Sequence, residues 1–461
     1  MLKYFSDPRR VAYEVNLLVA KTKARPEEVL KVASRLLNPM DRRLAQGLVY
    51  ESLRHRLRLE RLIKNLVPNK KPPKKSLEVL KIGLTQLLFF DRVPSHAAVN
   101  ETVKLAKAVT PHQAGLVNAI LVNLAKERDA KKADPQRLFP VETCPPNMDG
   151  AEKLSIFYGY PRWLVKKLLA ELGFREARAF LAASNARPRP TMRVNPLKYK
   201  REFFIKNQAP EARPTKFSPY GLISEVNSGP IENWPGYAQG LFSIQDEASQ
   251  LLPLLANRPQ TILDACAGLG GKTLALATVF PKALIVSMDT SKKRLDNIGP
   301  ESRRLGLRKA PIIIEMDALA LSPESLKPSP RFPGAFDLAV VDAPCTNLGV
   351  IRRRPDIKWN VEPQDPAQRA IVQLKLLLAA AQMVSPGGRL IYCVCTFTPE
   401  EGPGVVEKFL ALRPDFTPLG PENFAPNLTQ LFIAPGQLRL WPHKHDTDAF
   451  FYAAMDKTPG P

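Results

Sequence analysis

Two cysteine side chains, Cys345 and Cys395, each stand near the end of a predicted strand. Cys345 comes three residues after Asp342, which closes the segment FDLAVVD, and the apolar run in that segment predicts a buried parallel strand. Cys395 closes the segment RLIYCVC, fifty residues further along the chain. Ligands of open α/β sheets bind at the carboxyl ends of the strands. We therefore expect both thiols and the Asp342 carboxylate to lie at the mouth of one crevice.

Two thiols beside an acid are suited to methylation of a pyrimidine ring at carbon 5. That carbon is a poor nucleophile until a thiolate adds to carbon 6, while an acid near N3 stabilises the charge that develops on the ring. The ring then takes a methyl group from a sulfonium donor, and a base removes the proton from carbon 5. The alternative is that Cys345 is a small buried hydrophobic residue, as most free cysteines are. Cys393 has the same strand parity as Cys395 but comes two residues earlier, so we expect it to be deeper and structural.

A glycine-rich turn in the segment TILDACAGLGGKTLALATVF predicts a ligand site at a helix N-terminus. The pattern is strand, turn and helix, with Asp264 at the strand end and Gly268, Gly270 and Gly271 in the turn. Glycine lets the backbone approach a ligand closely, and the first N–H groups of a helix are free to bind it. A phosphate-binding P-loop is not indicated, because no glycine stands five residues before Gly271.

Further carboxylates follow the next predicted strands. The strand ALIVSMD ends at Asp289, at an interval from Asp264 that suits binding of ribose hydroxyls, and the strand PIIIEMD ends at Asp317, which could accept a hydrogen bond from an adenine amino group. Each could instead cap a helix. With Asp342 the set has four members, and unpaired buried carboxylates are costly. The pattern therefore favours a nucleoside pocket beside the reaction centre.

The composition indicates a polyanionic partner. The chain has 461 residues, enough for two to four domains, and a formal net charge of +23, which favours nucleic acid. Five histidines and five cysteines without CxxC spacing argue against zinc, other metal sites and a disulfide framework. No apolar run approaches the roughly 18 residues of a membrane span. We expect a soluble protein of a reducing, cytoplasmic compartment.

Residues 1–127 show helical periodicity, with leucines at three- to five-residue steps, and Ser95 stands where an N-cap is expected. A dense basic stretch within this region could follow a phosphate backbone, or could be a solvated charged face. It comprises Arg42, Arg43, Arg54, Arg56, Arg58, Arg61 and four lysines around Pro72.

Two further regions precede the α/β part of the chain. Residues 128–150 are rich in proline and charge and predict a linker. Residues 151–236 predict a small α+β module with a helix that Gly173 caps, and its Arg193 and Asn195 could contact RNA or substrate. Residues 237–461 then predict an α/β domain, in which the segment FSIQDEASQLLPLLA is expected to form a helix.

Several segments resemble known families. The segments MDRRLAQGLVYESLRHRLRLERLI, VPSHAAVNETVKLAK and GLVNAILVNL resemble the helical RNA-binding domain of the NusB family. The segments ILDACAGLGGKT, VVDAPCTNLGVIRRRPDIKW and LIYCVCTFTPEE resemble motifs I, IV and VI of RNA cytosine-5 methyltransferases. Together they resemble the RsmB/Sun-type 16S ribosomal RNA (cytosine-967-C5) methyltransferases. This resemblance implies a multidomain fold: an all-α bundle, a small α+β module and a Rossmann-like class I methyltransferase domain.

The resemblance also implies roles for particular residues. Cys395 would be the nucleophile, Cys345 would be needed for product release, and Asp342 would act at N3. S-adenosylmethionine would be the cofactor, held by Cys266, Ala267, Gly268, Leu269, Gly270, Gly271, Lys272, Asp289, Arg294, Asp317 and Asp342. The implied partner is RNA, either 16S ribosomal RNA or a small-subunit assembly intermediate. The closing segment HDTDAFFYAAM resembles the family's final antiparallel hairpin.

Some positions depart from the family pattern. Gly268 and Leu269 replace the usual Ala-Pro of motif I, Val394 replaces a threonine, Gly402 replaces an asparagine and Ala449 replaces a glycine. Two other interpretations stay open: an RNA-binding assembly factor that has lost catalysis, and a cytosine-5 methyltransferase that acts on transfer RNA. We expect a monomer, because no heptad pattern is present.

Overall fold

The computed structural model describes residues 5–67, 72–131, 148–224, 229–322, 324–326 and 334–459. The chain divides into two compact units. The first unit comprises Met1–Asn185 and Arg354–Glu362, and the second comprises Ala186–Arg353 and Pro363–Pro461.

The first unit is helical, as the leucine spacing predicts. Leu48, Leu59 and Leu84, which belong to the predicted periodic set, are fully buried in its core. Asp7 and Asn38 cap the first and third helices through their side chains. In the described part of this unit the helices are Pro8–Thr22, Pro26–Ala33, Pro39–Arg54, Arg56–Leu66, Lys74–Phe89, Ser95–Val109, Ala114–Lys131, Gly150–Tyr158, Arg162–Asn185 and Ile357–Asn360.

Two predictions for the helical region are wrong in detail. Ser95 is the first residue of its helix and not the cap, and its hydroxyl donates to the Asp129 carboxylate over 2.6 Å. Arg54 and Arg58 are only 3% and 5% exposed, so the basic stretch is not one continuous solvated surface. Both guanidinium groups lie among protein groups of the first unit, with Arg58 stacked 5.0 Å from the Phe157 ring centre.

The predicted linker 128–150 is in part helical. One helix continues to Lys131 and another begins at Gly150, while residues 132–147 lie outside the described part of the chain, as do Lys70 and Lys71. Gly173 has the expected left-handed φ of 70° and interrupts the helix Arg162–Asn185, but a second helical stretch follows it at once.

The segment Arg354–Glu362 packs within the helical unit. The Trp359 indole donates to the Leu53 carbonyl over 2.7 Å, and the Lys358 ammonium donates to the Arg54 carbonyl over 2.8 Å. Lys358 also lies 3.8 Å from the centre of the Tyr160 ring. Burial lowers the pKa of Lys358 well below its ordinary value. The last residues of the segment that resembles motif IV therefore pack in the first unit.

The second unit begins with a small antiparallel sheet. Its described strands are β1 (Thr191–Val194), β2 (Arg213–Pro214), β3 (Gly221–Ile223) and β4 (Phe242–Ile244), in the order β2-β3-β1-β4. The segment FSIQDEASQLLPLLA, predicted to be a helix, thus starts with strand β4, and two short helices, Glu247–Gln250 and Leu252–Leu255, follow. Its first three residues pair with β1, and this tertiary pairing leaves no signal in the local sequence.

The residues predicted to contact RNA in this module are buried. Arg193 is 2% exposed and donates to the Thr278 hydroxyl over 2.6 Å. The Asn195 amide donates to the carbonyls of Gly240 and Leu305, each over 2.9 Å. Both side chains therefore make hydrogen bonds inside the second unit, and the prediction that they contact RNA is wrong.

The main sheet of the second unit is mixed. In the described residues nine strands take part, in the order β11-β12-β13-β9-β8-β5-β6-β7, with β10 paired to β13. Strands β5 to β9 are parallel, and β13 runs antiparallel to β9. The strands are β5 (Thr261–Asp264), β6 (Leu284–Asp289), β7 (Ile312–Glu315), β8 (Phe336–Asp342), β9 (Val384–Val394), β10 (Phe416–Pro418), β11 (Phe432–Ala434), β12 (Gln437–Leu440) and β13 (Phe450–Lys457). Among the described residues of this unit, the remaining α-helices are Arg201–Gln208, Gly271–Val279, Lys292–Leu295, Ile298–Leu305, Asp365–Gln382, Pro403–Leu412 and Pro442–His445.

Three of the four strands that were predicted to end at an aspartate do so. Strands β5, β6 and β8 end at Asp264, Asp289 and Asp342. Strand β7 ends at Glu315, and the exposed Asp317 instead caps a short 3-10 turn by accepting from the Leu319 N–H. Asp317 therefore caps a turn, which was the alternative to a position at a strand end. Among the described residues no helix is both long and apolar enough to cross a membrane.

Candidate active site

The two predicted reactive thiols lie together. The sulfur atoms of Cys345 and Cys395 are 3.4 Å apart, at the ends of the neighbouring parallel strands β8 and β9. The loop after β8 is tied to the β9 end by two backbone bonds, from Ala343 N–H to the Cys393 carbonyl and from Gly349 N–H to the Cys395 carbonyl, each 3.0 Å. Cys395 is the more exposed thiol, whereas Cys345 is 8% exposed.

Gly349 explains why this loop can approach β9 so closely. A Cβ atom at this position would stand 2.0 Å from the Ala449 carbonyl oxygen and 2.8 Å from that of Cys395. The Ala449 N–H donates to the Gly349 carbonyl over 3.0 Å. Only glycine fits between these two backbones, so the loop that carries Cys345 is clamped from both sides.

The environment of Cys345 favours its neutral form. The contact with Cys395 contributes most to raising the pKa of Cys345 well above its ordinary value, and burial adds to it. Cys393 is fully buried, as predicted, and burial likewise raises the pKa of its thiol. Its sulfur nevertheless lies 3.5 Å from the Asp342 carboxylate, so Cys393 forms the inner wall of the same site.

Lys272 joins the glycine turn to the reaction centre. Its ammonium group lies 2.6 Å from the Asp342 carboxylate. Burial lowers the pKa of Lys272, but the Asp342 charge, with the neighbouring thiols, more than offsets this effect and leaves the pKa above its ordinary value. The Lys272 charge is thus held beside the thiols, a place that the sequence pattern alone did not indicate.

The glycine turn has the predicted conformation. Gly268 and Gly270 have φ values of 56° and 84°, and a Cβ atom at Gly270 would lie 2.4 Å from the Ile298 side chain. The Asp289 carboxylate accepts from the Gly268 N–H over 3.0 Å and pairs with Arg294 over 3.2 Å. Space is open above Gly268, where an added Cβ atom would meet no other atom within 4 Å. The turn therefore forms a rigid cradle that is open on the side of Gly268.

Several carboxylates gather around this cradle. Asp289 accepts from Gly268, Asp342 pairs with Lys272, and Asp264 accepts from Thr273 on the helix that follows the turn. Burial raises the pKa of Cys266, and the charges of Asp264, Asp342, Asp289 and Asp317 raise it further. Burial also raises the pKa of Asp264 to about 6, against the opposing hydrogen bond from Thr273. Such a donor set suits a cation that also carries hydroxyl and amino groups. Among the described residues no group of three or more His, Cys, Asp or Glu side chains could hold a metal ion.

A buried carboxylate behind the thiols was not predicted. Glu401 is fully buried, and its carboxylate accepts from the Thr346 N–H over 2.8 Å and from the Thr346 hydroxyl over 2.5 Å. It also accepts from the Thr398 hydroxyl over 2.8 Å and from the Gln373 amide over 3.0 Å. Thr346 follows Cys345, and Thr398 follows Cys395 by three residues. Glu401 therefore connects the two loops that carry the thiols.

We expect Glu401→Gln to lower both stability and activity. The variant keeps the size of the side chain but loses charge-assisted hydrogen bonds, so the free energy of unfolding should fall by about 3 kcal/mol. Urea unfolding measures this loss. Methyl transfer at a temperature where the variant is folded should fall about 10-fold, because the two loops that carry the thiols lose part of their common anchor. The exposed Glu407, on the helix Pro403–Leu412, provides the matched control Glu407→Gln. Equal stability of both variants would contradict a clamping role for Glu401.

The departures from the family pattern are compatible with this geometry. A Cβ atom at Gly402 would lie 3.1 Å from the Arg439 guanidinium and 3.2 Å from the Phe451 ring, so the usual asparagine would not fit without displacing them. Val394 and Ala449 are fully buried. Leu269 is 62% exposed, at the tip of the glycine turn. None of these residues takes the place of a thiol, Asp342 or Lys272.

Comparison with known proteins identifies the family. The model of the 16S rRNA methyltransferase RsmB/F family matches residues 252–456, the NusB family model matches 7–126, and a RsmF/B-like ferredoxin-like domain model matches 160–227. A Bacillus subtilis protein named as a probable ribosomal RNA small subunit methyltransferase B is 31% identical, over 97% of this chain and 98% of its own. The chain belongs to the RsmB/F family of 16S rRNA methyltransferases. The ribosomal RNA small subunit methyltransferase B of Vibrio cholerae is 32% identical, over 93% of this chain and 92% of its own.

A solved structure has the same fold over the full length. The crystal structure of PH0851 covers 99% of this chain and 100% of its own, with a TM-score of 0.73 and 23% identity. The predicted fold class is confirmed: a helical NusB domain, a ferredoxin-like module and a methyltransferase domain. The predictions of an RNA methyltransferase and of S-adenosylmethionine as the cofactor are also confirmed by the family. The cradle at Gly268 and the surrounding carboxylates fit this sulfonium nucleoside.

Proposed function

We propose that this RsmB/F family member transfers a methyl group from S-adenosylmethionine to carbon 5 of a cytosine in 16S ribosomal RNA, through a covalent bond between Cys395 and carbon 6. The observation that carries the proposal is the pair of Cys345 and Cys395 thiols, 3.4 Å apart, at the ends of the neighbouring strands β8 and β9, where β8 ends at Asp342. Two thiols at this distance can act on adjacent ring carbons, one by adding to carbon 6 and the other by removing the proton from carbon 5. The names of the relatives support small-subunit ribosomal RNA as the substrate.

The first step uses Cys395 and the Lys272–Asp342 pair. Cys395 is the more accessible thiol, and its thiolate adds to carbon 6, which moves negative charge towards N3 of the ring. The Lys272 ammonium, paired with the Asp342 carboxylate over 2.6 Å, can give a proton to N3 as this charge develops, and N3 returns the proton to Lys272 when the carbon–sulfur bond later breaks. The addition makes carbon 5 nucleophilic.

The cofactor supplies an electrophilic methyl group when it is bound. We propose that the turn from Cys266 to Lys272 and the Asp289 carboxylate hold it, with Arg294, Asp317 and Asp342 nearby. The Asp289 carboxylate is held in place by Gly268 and Arg294, so it is pre-oriented for ribose hydroxyls. The surrounding acids offset the positive charge of the sulfonium group.

Release requires a base at carbon 5, and Cys345 is suited to this role. In the free enzyme its pKa is raised chiefly by the hydrogen bond with Cys395. Once the Cys395 sulfur is bonded to carbon 6, that hydrogen bond and the competing thiolate are gone, so Cys345 loses its proton to water more easily and becomes a thiolate. Cys345 then takes the proton from carbon 5, the electrons of that bond re-form the ring double bond, and the carbon–sulfur bond breaks to return the Cys395 thiolate.

The position of methylation tests the proposed function. We would incubate the protein and S-adenosylmethionine separately with unmodified 16S ribosomal RNA, small-subunit assembly intermediates and transfer RNA, and then sequence each RNA after bisulfite treatment. We expect a bisulfite-resistant cytosine in 16S ribosomal RNA, alone or within an assembly intermediate. Methyl transfer to a nitrogen or a ribose, to transfer RNA alone, or to no RNA at all would contradict the proposal.

A further inference from the structure

The side chain of Asn347 stands directly at the thiol pair. Asn347 is exposed, follows Cys345 by two residues and precedes the 3-10 turn Leu348–Val350. Its φ of 58° lies in the left-handed region, which asparagine tolerates better than most residues other than glycine. The backbone thus turns sharply after Cys345 and brings the Asn347 amide back over the sulfur atoms.

The amide contacts both loops of the site. Its Oδ1 accepts from the Cys395 thiol over 3.0 Å and lies 3.9 Å from the Cys345 sulfur. Its Nδ2 donates to the Cys345 carbonyl over 2.9 Å. Because a carbonyl needs a donor, the NH₂ group must face Cys345, and the amide oxygen must therefore face the thiols. The orientation of the amide follows from this hydrogen bond.

We propose that Asn347 is a positioning residue for the nucleophile: its amide oxygen holds the Cys395 thiol in the rotamer that faces the crevice mouth. This inference rests on the proposed role of Cys395 as the nucleophile. A thiol without a partner rotates freely about its Cα–Cβ bond, and only some of its rotamers direct sulfur towards an incoming ring. In this arrangement the Cys395 sulfur also stays 3.4 Å from Cys345, and because its thiol hydrogen points to Asn347, the sulfur lone pairs face away from the amide.

The absence of charge on the Asn347 amide also matters for the reactivity of Cys395. A carboxylate at position 347 would place a negative charge about 3 Å from the Cys395 sulfur and oppose formation of the thiolate. Glycine would keep the left-handed backbone and remove only the amide. The two replacements Asn347→Asp and Asn347→Gly therefore separate the effect of charge from the effect of orientation.

The test measures the reactivity of Cys395 in the absence of RNA and cofactor. The full-length wild type, Asn347→Asp and Asn347→Gly would be alkylated with iodoacetamide between pH 6 and 10, and the rate at Cys395 would be followed by peptide mass spectrometry. We expect Asn347→Asp to move the midpoint of the rate–pH profile upwards by about 1 pH unit. Asn423→Asp is the matched control, because Asn423 is an exposed asparagine whose amide contacts Gly420 and Glu422 and no thiol. Its profile should equal that of the wild type.

A kinetic measurement completes the test. In single-turnover methyl transfer, Asn347→Gly should lose about 10-fold in rate, as expected for one lost hydrogen bond, with an unchanged KM for RNA. Wild-type alkylation profiles in both Asn347 variants, or a change in KM alone, would overturn the inference. Alkylation needs no methyl transfer, so these results are distinguishable from failure of the proposed function, which would show as absence of cytosine methylation by the wild type.

Discussion

Cys395→Ser should lower the rate of methyl transfer by about 10⁴-fold or more, which is the size of loss seen when a nucleophile is removed from other enzymes. A serine hydroxyl occupies nearly the same space but ionises far less readily than a thiol, so it cannot add to carbon 6 at neutral pH. The measurement is transfer of radiolabelled methyl groups from S-adenosylmethionine to 16S ribosomal RNA under single-turnover conditions.

A control distinguishes loss of chemistry from loss of structure. Cys395 lies outside the glycine turn, so Cys395→Ser should bind S-adenosylmethionine as tightly as the wild type does in equilibrium dialysis. A variant that binds the cofactor normally and still methylates RNA at more than about a tenth of the wild-type rate would contradict the nucleophile role of Cys395.

Cys345→Ser should trap RNA on the protein. The variant keeps Cys395, so addition to carbon 6 and methylation can proceed, but it lacks the base that removes the proton from carbon 5. We expect about one methyl group transferred for each protein molecule, loss of multiple turnover, and a protein–RNA adduct that survives denaturing gel electrophoresis.

The double variant Cys345→Ser/Cys395→Ser is the matched control for trapping. It has the same change at position 345 but no nucleophile, so it should form no adduct. An adduct of equal yield in the double variant would assign the covalent bond to another residue. Sustained turnover by Cys345→Ser would show that a different group removes the proton.

Local patterns were sufficient to predict the strands that carry the site. The apolar runs that end at Asp264, Asp289 and Asp342 are long enough to identify buried strands, and glycines at 268 and 270 indicated the turn that their positive φ values confirm. Strand parity also predicted the burial of Cys393. These features depend on residues adjacent in sequence, so they could be inferred without tertiary contacts.

Other features depend on residues distant in the chain and were missed. Arg193 and Asn195 look like surface residues in sequence, but inside the second unit Arg193 donates to Thr278, and Asn195 donates to the carbonyls of Gly240 and Leu305. Glu401 follows Cys395 by six residues, and nothing local shows that its carboxylate bonds to Thr346. The packing of Arg354–Glu362 in the first unit was likewise not predicted. These residues belong to the segment that resembles a methyltransferase motif, but the structure assigns them to the helical unit.

Mass spectrometry of the trapped complex tests the central claim, a covalent bond between Cys395 and a cytosine, most directly. The Cys345→Ser adduct formed with S-adenosylmethionine and 16S ribosomal RNA would be digested with nuclease and protease, and the modified peptide sequenced by fragmentation. We predict that the peptide containing Cys395 carries one cytidine nucleotide with one added methyl group. A nucleotide attached to a different residue, or a methylated RNA product recovered without any protein-bound nucleotide, would contradict the account.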